Sequence, residues 1–98
     1  MHIITRSRLI ELGELHADAD AEHRAWERMV RSKRYANPAA VKVDFPSVDF
    51  VGKYRAIFNI CRNDYRLVVD MRFDLGRGCI RHVVTHRVYE RLMKRGGL

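Results

Sequence analysis

What the chain lacks narrows the field first. Its 98 residues include only two cysteines, Cys61 and Cys79, both inside apolar, strand-like runs. Two such thiols fit buried side chains in a reducing cytosol better than a disulfide or a metal site. No apolar run approaches the roughly 18 residues of a membrane span. The opening MHIITRSR lacks the long apolar core of a signal peptide. The expectation is a cytoplasmic protein with no membrane partner. G-x-G-x-x-G, P-loop, G-x-S-x-G and C-x-x-C patterns are all missing. Nucleotide-cofactor, serine-triad and zinc-ribbon chemistry therefore have no support. His82 and His86 stand four apart, a metal-pair spacing on a helix, but His82 falls in a strand and no further ligand completes a set. We expect no cofactor and no metal. There is no internal repeat or low-complexity tract, and the length suits one domain over 1–98.

What is present is positive charge, unevenly placed. The net charge is +7. Residues 1–50 hold eight Lys/Arg and eight Asp/Glu, whereas residues 51–98 hold eleven and four, so the whole excess lies in the second half. A basic half beside a neutral half suggests a polyanion site on one face, although charge alone also describes an ordinary solvated surface.

That second half is organised by the stretch Tyr54–Tyr89. Three runs rich in Val, Ile and Phe are split by Arg62-Asn63-Asp64 and by Leu75-Gly76-Arg77-Gly78, the pattern of strands joined in hairpins. In the middle run Leu67, Val69, Met71 and Phe73 alternate with Arg66, Val68, Asp70 and Arg72. A period of two sends one set to a core and the other to the far face.

Before it, residues 2–5 suit a short strand. Leu9, Leu12 and His16, with Ile10 and Leu15, recur at helical steps, interrupted by Gly13. Asp18 or Asp20 can cap a second helix, on which Glu22, Ala25, Trp26, Met29, Val30 and Lys33 mark one face and Asn37-Pro38 makes the stop. Residues 39–53 read as a connection: Val41, Val43 and Phe45 alternate until Pro46 ends any regular strand. After Thr85, residues Val88, Tyr89, Leu92 and Met93 mark a short final helix with basic residues and Gly96-Gly97 at its end. The expected fold is α+β, with an N-terminal strand and two helices packed on one face of an antiparallel sheet and a short C-terminal helix.

Two constellations carry chemistry. Arg55, Arg66, Arg72, Arg81 and Arg87, with Asn59, could grip an RNA backbone, because guanidinium forks match phosphate oxygens. Arg66 and Arg72 share a face by parity, while Arg81 turns either way with the register. The second is Thr85-His86-x-x-Tyr89. Thr85 suits a helix cap, which sets His86 in the first turn with Tyr89 on the same side. An imidazole exchanges protons near neutral pH. A phenol beside it donates to a developing oxyanion or stacks on a base. Standing alone, such an arginine set is more often a solvated face, and Tyr89 is more often a half-buried packing residue.

Together the residues resemble the HigB-type toxins of bacterial type II toxin–antitoxin systems, within the wider RelE-like group. The matching pieces are Phe45-Pro46-Ser47-Val48-Asp49, then Phe58-Asn59-Ile60-x-x-Asn63-x-x-Arg66-Leu67-Val68, then Ile80-Arg81-x-Val83-x-Thr85-His86-x-x-Tyr89-Glu90. The family usually has glycine where Arg62 stands and often an acidic residue where Val88 stands.

The resemblance implies a RelE-like fold and an mRNA interferase, a metal-independent endoribonuclease typically acting on the translating ribosome. It implies a HigA-like helix-turn-helix antitoxin as partner, with operator DNA reached only through that antitoxin. Under it, His86 is the acid/base, Arg66 and Arg81 stabilise the phosphate, and Tyr89 orients or stacks a base. Asn59, Arg55, Arg72 and Arg87 hold the RNA. The competing classes are a non-catalytic RNA-binding module and a pure protein-interaction partner using the same basic face.

Overall fold

The computed structural model describes residues 1–4, 17–60 and 65–95. The expected helix around Leu9–His16, Cys61, the first hairpin break and the closing glycines lie outside the described residues. In chain order the elements are β1 (His2–Ile4), α1 (Ala17–Ser32), α2 (Pro38–Asp44), β2 (Asp49–Val51), β3 (Arg55–Ile60), β4 (Tyr65–Arg72), β5 (Arg77–Thr85) and α3 (His86–Lys94). The five strands form one sheet in the order β1-β5-β4-β3-β2. It is α+β and consistent with a RelE-like fold. The sheet is mixed, not purely antiparallel, because β1 runs parallel to β5.

One face carries the main core. Leu67, Val69 and Met71 of β4 point there with Ala56 and Phe58 of β3, Ile80 of β5 and Ile3 of β1, against Trp26 and Val30 of α1 and Val41 of α2. Phe58 is its hub, meeting the Trp26 ring edge-on at 5.3 Å and the Phe45 ring at 5.1 Å. Of the expected α1 face, Trp26 and Val30 are buried. Met29, expected on the same face, is 41% exposed.

Three expectations are corrected. Asp18 and Asp20 lie inside α1, which already runs at Ala17, and so do not cap it. Asn37-Pro38, read as a stop, starts a helix over Pro38–Asp44 that occupies the front of the stretch 39–53 read as a connection. Asn37 caps the helix by accepting from the Ala40 amide at 2.9 Å, and Pro38, which lacks an N–H, fits its first position. The alternation of Val41 and Val43 was misleading, since Val41 is buried while Val43 is 79% exposed. Asp44 at the end of α2 accepts from Lys33 Nζ at 2.9 Å and Tyr35 Oη at 2.8 Å, tying α2 to the segment after α1.

The β4–β5 pairing contains a bulge. Val69 faces Ile80 but Val68 faces His82, so Arg81 is an extra residue of β5 that the register skips. The bulge resets parity along β5. Beyond it Val83 packs on the main core, while His82 takes the opposite face.

Candidate RNA-cleavage site

The second face of the sheet carries the arginines, and the structure divides them into two groups. The register sets Asn59 of β3 opposite Arg66 of β4, and Tyr65 opposite Thr85 at the end of β5. Thr85 is extended and its hydroxyl accepts from the Val88 amide at 3.2 Å, starting α3 as expected. The helix therefore begins where β5 ends, and His86 in its first turn meets the β4 arginine. Arg66 Nη2 lies 2.9 Å from His86 Nδ1, and its guanidinium carbon sits 5.6 Å from the centre of the Tyr89 ring. His86 Nε2 lies 2.9 Å from Glu90 Oε1, one helical turn on. A guanidinium, an imidazole and a phenol thus surround one point at the rim of the sheet, with Asn59 alongside. Burial pushes the Tyr89 phenol up, the Asp49 carboxylate adds to the effect, and the Arg66 charge opposes it. At neutral pH that phenol is a donor.

The other arginines gather further along the same face, on β4 from Asp70 to Arg72. Four residues separate Asp70 from Arg66, roughly 13 Å at about 3.3 Å per residue. Asp70 accepts from Arg55 Nε at 2.8 Å and from Arg81 Nε at 2.7 Å. Arg72 bonds Asp74 at 2.9 Å and stands over the Tyr54 ring at 4.9 Å, with Lys53 Nζ 5.4 Å from that ring. Arg55, Asp70, Arg72, Arg81 and Tyr54, with Arg77, Cys79 and the exposed apolar residues Ile4, Val51 and Leu75, line a cleft of about 410 Å³. Such a volume suits a small ligand or one nucleotide.

The alternation left the face of Arg81 open, and the resemblance gave it a share in the phosphate with Arg66; in the structure its Nε bonds Asp70 beside the bulge. Sequence reasoning missed Tyr54, Arg77 and Glu90, whose roles depend on cross-strand register and on a turn of helix. Cys79, expected to be buried, is a half-buried thiol on the cleft wall, where the register sets it opposite Asp70. Arg87 is exposed in the first turn of α3. Among the described residues no three His, Cys, Asp or Glu side chains cluster as metal ligands, and no helix is long and apolar enough to cross a membrane.

A family model described as the RelE-like toxic component of a toxin–antitoxin system matches residues 19–92. The chain belongs to the HigB toxin family. The match spans α1 to α3, so both arginine groups fall inside the HigB region. Its relatives include the mRNA interferase toxin HigB of Escherichia coli K12, 29% identical over 93 residues that cover 92% of this chain and 88% of the relative. The mRNA interferase HigB of Escherichia coli O157:H7 and that of Shigella flexneri match to the same extent. A HigB-family chain is one half of a pair, and its partner is an antitoxin.

Proposed function

We propose that this toxin is a metal-independent endoribonuclease that cuts messenger RNA on translating ribosomes in the cytoplasm and is neutralised by a HigA-like helix-turn-helix antitoxin. Operator DNA is met only through that antitoxin. The observation that carries the reading is the convergence of Arg66, His86 and Tyr89 on one exposed point. The printed names of the HigB relatives support the same activity.

Metal-free RNA cleavage uses the ribose 2′-hydroxyl as an internal nucleophile. It needs a base for that hydroxyl and positive charge for the phosphorane-like transition state. His86 takes the 2′-hydroxyl proton. The 2′-oxygen attacks phosphorus, the bond to the 5′-oxygen breaks, and a 2′,3′-cyclic phosphate forms. The departing 5′-oxygen takes a proton from water, and the imidazolium returns its own to solvent. Arg66 bears on the phosphate oxygens with its fork of N–H donors. Tyr89 donates a hydrogen bond or stacks on a base, and Asn59 orients the strand beside Arg66. Arg55, Arg72 and Arg81 hold flanking backbone in the cleft, and Arg87 adds charge at the rim. Arg81 is therefore assigned to holding RNA, away from the His86 end.

The test is induction of the chain with and without its antitoxin, with RNA 5′ ends mapped, and the purified toxin assayed with translating ribosomes and a chelator of divalent ions not needed by the ribosomes. His86→Gln should abolish growth arrest while antitoxin binding survives. A positioned base contributes about 10²–10⁴-fold in rate, so wild-type cleavage by a folded His86→Gln protein would remove His86 from the mechanism.

A further inference from the structure

Which nitrogen of His86 can accept a proton is decided by its two neighbours. Arginine offers only donors. The 2.9 Å approach of Arg66 Nη2 therefore makes Nδ1 the nitrogen with the lone pair. In a neutral imidazole the hydrogen is then on Nε2, and Nε2 faces Glu90 Oε1 at 2.9 Å. A carboxylate accepts from an N–H, so both contacts select the same tautomer. The reverse tautomer would point a hydrogen on Nδ1 at the N–H groups of Arg66 and leave Nε2 and the carboxylate as two facing acceptors.

We infer that Glu90 is the positioning residue of this site. It holds the hydrogen on Nε2 so that Nδ1 is the atom that receives the 2′-hydroxyl proton, and Arg66 covers Nδ1 until a phosphate draws its guanidinium away. This rests on the nuclease reading above. The exchange is favourable in direction. In that exchange a bond to a neutral ring nitrogen is replaced by charge-assisted bonds to a phosphate, which are stronger. The base is thus covered in the free toxin and uncovered by the substrate. Once the ring is protonated, Glu90 faces a full positive charge on the imidazolium and steadies it. Glu90 lies at i+4 from His86 on the same helix, so the fold supplies the contact by helical geometry alone. Both side chains are about half exposed, at 48% and 57%. The contact therefore adds little to stability, and Glu90 can be replaced without losing the fold.

Two measurements test this. Long-range 1H–15N NMR of the imidazole in the intact toxin should show the hydrogen on Nε2 of His86. Adding an uncleavable 2′-deoxy oligonucleotide should change the Nδ1 signal as Arg66 leaves it. In ribosome-dependent cleavage, Glu90→Ala should lower kcat by about 10-fold or more with KM nearly unchanged, as expected when an orienting partner of a catalytic histidine is removed. Glu90→Gln, whose amide oxygen still accepts from Nε2, should restore most of that loss. Wild-type kcat in Glu90→Ala overturns the inference, and so does an Nδ1–H tautomer in an active wild-type protein. Failure of the wild-type toxin itself to cut RNA would instead overturn the nuclease reading.

Discussion

Asp70 Oδ2 lies 2.7 Å from Arg81 Nε, a contact that depends on the one-residue bulge beside it. The same carboxylate also accepts from Arg55. One anion thus fixes two of the cleft's cations.

Asp70→Asn should therefore weaken the fold. Hydrogen bonds to charged groups net about 1.5–3 kcal/mol, and solvent screening discounts the share of the exposed Arg81. A loss of about 2 kcal/mol at neutral pH is the expected outcome of urea titrations. The Arg55 guanidinium, against the opposing effect of burial and with help from Arg81, holds the Asp70 carboxyl below the usual range. A depressed folded value contributes stability above the unfolded range, near pH ~4, and loses it as pH falls through the folded value. Wild type and variant should converge in acid. Equal stability at neutral pH would show that the pair contributes nothing.

Arg66→Lys keeps the charge and loses the planar fork. Lysine cannot make the paired phosphate contact. RNA affinity should change little while kcat falls by about 10-fold or more. Undiminished turnover would place the phosphate elsewhere.

Removing Arg72 or Arg81 should act on binding, not on chemistry. On single strands log K falls by about 0.7 per phosphate contact for each log unit of salt. Each alanine variant should flatten the salt dependence of RNA binding by about that amount, with cut sites unchanged. An unaltered slope would take that arginine off the RNA path.

Phe58→Ala tests the core beneath the site. Deleting a buried phenylalanine typically costs about 3–5 kcal/mol. Phe58 is 2% exposed and touches both Trp26 and Phe45, so the upper part of that range is expected from chemical melts.

The meander was legible because its strands are bounded by polar breaks, and the β4 alternation correctly chose Leu67, Val69 and Met71 for the core. Thr85 was legible as a cap because its hydroxyl precedes a helical pattern directly. The cap of α2 was also written in Asn37-Pro38, but proline was read as a stop when it was a start. The bulge at Arg81 left no local signal, since an extra residue is visible only against the strand beside it. The parallel seat of β1 was hidden for the same reason. The placement of the arginines followed from both, which is why they read as one set and stand as two.

The pairing of His2 with Arg77 has a consequence for how the molecule is made. Partners 75 positions apart cannot meet until most of the chain has left the exit tunnel. Such distant closure is slow and comes late. The nascent polypeptide thus leaves β1 without its seat on the sheet until β5 has been made, and the sheet closes on its first strand last.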